Sequence, residues 1–139
     1  MAEVIMLEVV TPERRVVHEE VTELTAPGLL GEFGVLMGHE PFVTVLRPGL
    51  LYYRCAQGGE ERTLAVGQGF AEIVEDRVTL LVEACEGGSE IDRARAGKAR
   101  DEATQRMKAL PLDSEEIGEL QAALDRAEAR LAASDRTAN

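Results

Sequence analysis

Residues 77–96 read RVTLLVEACEGGSEIDRARA, and the hydrophobic period changes inside this stretch. Val78, Leu80 and Val82 alternate with Thr79, Leu81 and Glu83, the two-residue period of a strand with one buried face. The alternation stops at Gly87-Gly88. Beyond it, Ser89 followed by Asp92 resembles a capping box, in which a hydroxyl accepts from an orphan backbone N–H and a carboxylate reaches back. The period change divides the chain into a β domain, residues 1–88, and a helical segment, residues 89–139.

Working back from the glycines, strand signals recur over 4–10, 15–26, 42–46, 50–56, 62–66, 70–74 and 77–84. Turn residues separate them at Thr11-Pro12, Pro27-Gly28, Pro48-Gly49, Gly58-Gly59, Gly67 and Glu75-Asp76. All three Phe, both Tyr and every Pro except Pro111 lie here. Short strands at this spacing without helices between them favour an antiparallel β-sandwich or barrel. With the helical segment this makes an α+β protein.

Working forward, helices are expected to begin just after Ser89 and Asp113, the second with Glu116 completing another capping pattern. Ala96, Ala99, Ala103, Met107 and Leu110 recur at three or four residues on the first helix. Ile117, Leu120, Leu124, Ala127 and Leu131 do so on the second. The link Leu110-Pro111-Leu112 suits only an antiparallel two-helix hairpin. Its seam is narrow and rich in Ala, and at roughly 25 cal/mol per Å² such a seam is weak. The hairpin therefore needs a second support, either the sandwich or a partner.

The 139 residues, 45% hydrophobic and 29% charged, suit a folded domain with a real core. The net charge of −11 repels phosphate backbones and anionic lipid, which excludes nucleic-acid binding and a polybasic anchor. Residues 1–88 carry 6 basic and 15 acidic residues, and residues 89–139 carry 9 and 11, so most of the positive charge sits in the smaller part. No apolar run approaches the ~20 residues of a membrane span, so direct membrane insertion is not expected. Cys55 and Cys85 have no CxxC spacing and no neighbouring His, which argues for reduced, buried thiols and no metal site.

The usual marks of catalysis are missing: no phosphate-binding GxxxxGK[ST], no GxSxG, no HExxH. His18 and His39 lie on separate segments without a Ser or Cys partner. A small enzyme built on Glu72, Glu75 and Asp76 is the weaker alternative, because neighbouring carboxylates at a turn are ordinarily solvated. A free-standing β-sandwich adaptor with a helical arm is another. The run Gly31-Glu32-Phe33-Gly34-Val35-Leu36-Met37-Gly38-His39-Glu40-Pro41-Phe42 stands out, since it sets apolar residues in a glycine-hinged loop. Such a loop either marks a contact surface or folds back on its own core.

That run, with Pro48-Gly49, resembles the G-E-x-G-(I/V)-x-x-G-H-x-P segment and downstream P-G of the epsilon subunits of bacterial F-type ATP synthases. The resemblance extends to the opening V-x-T-P-E-R, to Leu64-Ala65-Val66-Gly67-Gln68-Gly69-Phe70 and to Ile91-Asp92-Arg93-Ala94-Arg95-Ala96, and so covers nearly the whole chain. It implies a non-catalytic central-stalk subunit of a proton-translocating synthase, peripheral on the cytoplasmic face of the bacterial inner membrane. The sandwich would link the gamma subunit to the c-ring, with Glu32, Phe33, Val35, Met37 and His39 at that interface. The hairpin would inhibit ATP hydrolysis when extended, its Arg93, Arg100, Arg106 and Lys108 meeting the alpha and beta subunits. No cofactor is required. Regulatory ATP is a further expectation, because Asp92 and Arg95 match the (I/L)-D-x-x-R-A of ATP-binding members and Arg126 and Arg130 match their R-x-x-x-R pair. Bound ATP would lock the hairpin down. Glu102 stands where those members place an additional Arg.

Overall fold

The computed structural model describes residues 4–36, 38 and 41–138. Nine strands are present among them: β1 (Ile5–Val10), β2 (Arg15–Gly28), β3 (Gly31–Val35), β4 (Phe42–Leu46), β5 (Gly49–Cys55), β6 (Glu61–Val66), β7 (Gly69–Val74), β8 (Arg77–Val82) and β9 (Cys85–Gly87). The seven strands expected from alternation all form. The other two carry little local signal. β3 reads GEFGV, with two glycines in five residues, and exists because β2 offers it a ladder from Leu24↔Val35 to Gly28↔Gly31. β9 is three residues paired to the end of β6.

The strands form a β-sandwich, hydrogen-bonded in the order β1-β8-β7-β4-β2-β5-β6-β9, with β3 on β2 and a further β1–β2 pairing. β2 belongs to both layers. Its first half pairs with β1, its second with β3 and β5, and the register shifts between Val21 and Glu23. A bulge of this kind adds twist and lets one strand cross from layer to layer. One pairing departs from the antiparallel expectation: β1 runs parallel to β8, from Met6↔Arg77 to Val10↔Leu81. Parallel neighbours need a long connection, and β2 to β7 provide it.

The inner faces meet in one core. Leu7, Val9, Val21, Leu51, Ala71 and Leu80 are completely buried, and Val78 and Val82 join them as the alternation required. Two close approaches depend on special backbone. A side chain at Gly69 would overlap the Leu81 carbonyl, so β7 and β8 pack there only around glycine. Glu75 and Asp76, at φ of 47° and 62°, form the two-residue turn between Val74 and Arg77. Both positions of such a turn need the left-handed region that matches the twist of the strands, and Asp tolerates it better than most residues.

Helix α1 (Arg93–Ala109) and helix α2 (Ile117–Ala138) make the hairpin. Both starts fall later than the capping patterns indicated. Gly88–Glu90 forms a 3-10 turn, and Asp92 itself is the N-cap of α1, its Oδ1 accepting from the Arg95 N–H at 3.1 Å. Ser114 Oγ accepts from the Glu116 N–H before α2 begins, so the link spans residues 110–116 and not three residues. Ala96, Ala103 and Ala127 are buried in the helix seam, whereas Ala99 points to solvent. Ala129 and Ala133 lie two and six positions beyond Ala127. At 100° per residue Ala129 is on the opposite side of α2, and it packs with Ala133 on Ala65, flanked by Leu50 and Ile91. The hairpin rests on β5, β6 and β9 through this second stripe.

Candidate functional site

Three alanine methyls leave the dock between α2 and the sandwich thin, and polar contacts surround it. Arg126 pairs with Glu83 at 3.7 Å, and Arg130 Nε donates to Glu86 Oε1 at 2.7 Å. Near the end of α2 the Arg136 guanidinium lies over the Tyr52 ring, 4.5 Å from its centre. Arg126 with Arg130 and Ala129 with Ala133 are each four apart, two neighbouring rows of one helix face, so the small residues and the arginines meet the sandwich together. The cavity lined by Ala65, Val66, Gly67, Ala84, Glu86, Arg126 and Arg130 is about 10 Å³, enough for at most one water.

The four residues expected at a nucleotide site occupy two places. Arg126 and Arg130 face the sandwich and hold its carboxylates. Asp92 is occupied as the cap of α1, and Arg95 is exposed in the first turn of that helix. Arg93 is drawn across the hairpin to Asp135 and to the Leu131 carbonyl. Arg100 pairs with Asp101 and Arg106 with Glu116, both at the surface, and Lys108 is exposed in the last turn of α1.

The segment from Gly31 to Pro41 divides between core and surface. Val35 is 1% exposed, paired with Leu24 and packed into the core. It cannot offer contact area without unfolding β3, which corrects its assignment to an interface. Phe33 is half-buried, its ring edge-on to Phe42 at 5.7 Å, and this contact closes the base of the loop. Glu32 and Leu36 are exposed. Asp76 Oδ1 accepts from the Gly38 N–H at 3.0 Å and ties the loop to the β7–β8 turn. Met37 and His39 lie outside the described residues.

A second surface follows from strand register. Val10, Leu81, Phe70 and Val45 are consecutive cross-strand partners on β1, β8, β7 and β4, and they share the outer face. Phe70 and Leu81 are 55% and 52% exposed, with Val43, Leu29 and Leu30 exposed beside them. The row stays exposed although the hairpin borders one end of it, where Val45, Phe70 and Leu29 share a cavity of about 500 Å³ with Gly118, Gln121 and Ala122 of α2. Alternation identified Leu81 as outward, but four strands had to be aligned before the row existed. Glu83, Glu86, Tyr52 and Arg136 also went unseen, because their partners are distant in sequence and no local pattern announces such pairs.

Among the described residues no group of three His, Cys, Asp or Glu side chains is placed to hold a metal ion, and no helix is long and apolar enough to cross a membrane. Burial, then the Glu19 carboxylate, raises the Tyr53 hydroxyl above its usual range. Burial also raises the Cys55 thiol, whose Sγ donates to Glu19 at 3.1 Å.

The architecture is a β-sandwich with a helix hairpin docked on one face and an exposed apolar row on another. The chain belongs to the ATP synthase delta/epsilon family, whose β-sandwich domain model matches residues 4–88. An ATP synthase epsilon chain of Syntrophobacter fumaroxidans is 47% identical over 137 residues, covering 99% of this chain and 100% of that one. An epsilon chain of Syntrophotalea carbinolica is 46% identical over 131 residues and 94% of each chain. Among solved structures, a chain of the Euglena gracilis mitochondrial ATP synthase, in a complex of OSCP, F1 and c-ring, superposes with a TM-score of 0.76 at 28% identity. That match covers 98% of this chain and 81% of that one.

Proposed function

We propose that the chain is a non-catalytic subunit of the central stalk of a bacterial, proton-translocating F-type ATP synthase. On this reading it joins gamma to the c-ring and restrains ATP hydrolysis through its hairpin. It is then peripheral, on the cytoplasmic side of the inner membrane. Support comes from full-length similarity to epsilon chains and from the likeness to a chain in an assembly with F1 and a c-ring. The apolar row Val10, Leu81, Phe70 and Val45 suits a protein partner such as gamma. Glu32, at the exposed edge of the loop, and His39 are suited to hydrogen-bond the polar loops of the c-ring.

The observation that carries the regulatory part is the thinness of the dock. Three alanine methyls at about 0.8 kcal/mol each, the partly buried Leu50 and Ile91 packed against them, two partly exposed ion pairs at about 0–1 kcal/mol each and the Arg136–Tyr52 contact make a dock of several kcal/mol in which α2 buries no side chain larger than alanine or serine against the sandwich. Such a contact can be exchanged for a second docked state. In that extended state Arg93, Arg100, Arg106 and Lys108 would exchange their present surface surroundings for acidic partners on alpha and beta.

Ending the chain after Gly88 tests the reading. The sandwich core, drawn from β1 to β9, does not include the hairpin, so the shortened protein should fold and assemble, and the complex should hydrolyse ATP severalfold faster than the intact one. Hydrolysis unchanged by the truncation would remove the regulatory role. Failure of the folded sandwich to join the complex would remove the stalk role.

A further inference from the structure

The connection from β3 to β4 enters β4 at a place that the sheet topology fixes. β4 runs antiparallel to β7 with Phe42 opposite Ile73, so the residues leading into Phe42 pass beside the turn that follows Val74, formed by Glu75 and Asp76. Asp76 bonds in two directions there. Its Oδ1 accepts from the Gly38 N–H at 3.0 Å, and its carbonyl accepts from the Met6 N–H of β1 at 2.9 Å. Packing does not hold Gly38: a side chain there would meet nothing within 4 Å, and its φ of 86° favours glycine. Leu36, two residues earlier, is 61% exposed. Among the described residues of the connection, 36, 38 and 41, the Asp76 bond is the one hydrogen bond to another element.

We infer that Asp76 is the positioning residue of the β3–β4 connection: its carboxylate fixes the backbone at Gly38 and so presets the geometry in which this segment meets the c-ring. The inference rests on the stalk reading above for the identity of that partner, whereas the tether is a property of the isolated chain. A carboxylate accepting from a backbone N–H is among the stronger hydrogen bonds, and here it restrains a segment that packing leaves free. A segment already held in its bound geometry gives up less freedom when it docks. The tether also has a firm base. Asp76 precedes Arg77, which pairs with Met6 of β1, so the turn that holds the connection is itself held by two strands.

The backbone at Asp76 supplies the variants for a test. At a φ of 62° Asp, Asn and Gly are the tolerated residues, and of these only Asp and Asn carry an acceptor oxygen. Asp76→Gly therefore keeps the turn and removes the tether, and Asp76→Asn keeps both. Solvent exchange of the Gly38 amide is read by NMR in the isolated full-length protein, and copurification with the c-ring and with the F1 sector is read from the assembled synthase. In D76G the sandwich should keep its melting temperature, the Gly38 amide should exchange roughly tenfold faster, and c-ring copurification should fall severalfold. Copurification with F1 should not change, because the apolar row is untouched. D76N should stay close to the native chain in every readout. Unchanged Gly38 exchange in D76G overturns the inference, as does a D76N variant as loose as D76G, which would deny the acceptor oxygen its part. Faster exchange with undiminished c-ring copurification overturns the positioning role. The E32A/H39A variant then separates the two readings: if it weakens c-ring copurification the stalk reading stands and Asp76 alone is excluded, and if it does not, the c-ring contact lies elsewhere.

Discussion

Burial pushes the Cys85 thiol up to about 12 from its usual 9.0, with the Glu90 carboxylate adding to the rise. The unfolded thiol ionises near its usual value while the folded one stays protonated. Its contribution to stability is therefore complete below about pH 9 and is lost as pH rises from there towards 12. The native protein should lose stability along that limb, and Cys85→Ala should flatten it at the cost of a small cavity. Denaturant midpoints between pH 9 and 10 are the measurement, with Cys55→Ala present in both proteins because the Cys55 thiol is raised from the same 9.0, and the range stops where the raised Tyr53 hydroxyl adds its own limb above its usual 10.0. Parallel losses in both proteins would exclude the thiol as the cause. The composition already pointed to buried, reduced cysteines. Which of the two is sealed depended on β9, a strand with no local signal: Cys85 is 8% exposed, while Cys55 borders an open groove with Glu19 and Arg62.

At the scale of elements, α2 has two working faces where periodicity revealed one. The stripe Ile117, Leu120, Leu124, Ala127 and Leu131 was legible because apolar residues at 3-4 spacing stand out against charge. The stripe Ala129 and Ala133 was not, since two alanines beside arginines look like an ordinary solvated face. Ala133 is completely buried within the dock of Ala65, Leu50 and Ile91. Ala133→Leu should overpack that site by about 1–3 kcal/mol. The hairpin should lift away while the sandwich keeps its melting temperature, which a sandwich-to-hairpin distance and preferential proteolysis within α2 would report. A variant docked as firmly as the native chain would mean that the alanine contact does not govern the dock. β3 gives the complementary case: its glycines read as a loop, yet β2 recruits it as a strand and buries Val35.

For the whole molecule, the two surfaces divide the work. The outer faces of β5 and β6, with β9, carry the hairpin, and the row across β1, β8, β7 and β4 stays open. If that row is the contact with gamma, Phe70→Ser with Leu81→Ser should leave stability nearly unchanged, because both side chains are more than half exposed. Copurification with the F1 sector should drop at least tenfold, as expected when central apolar anchors are removed from an interface. Undiminished copurification of the folded double variant would assign gamma to another face.

The sequence by itself determined the division near Gly87-Gly88, seven strands, the hairpin, the family and the short list of polar candidates. These rest on local periods, turn residues and contiguous motifs, which survive in one dimension. Tertiary structure alone decided that β1 runs parallel to β8, that Val35 belongs to the core, that the apolar row exists and that Arg126 and Arg130 are held by Glu83 and Glu86. Each of these joins residues far apart in the chain. Such pairings are selected by the packing of two layers and a helix and by the charges that packing brings together, so no local stretch of sequence contains them.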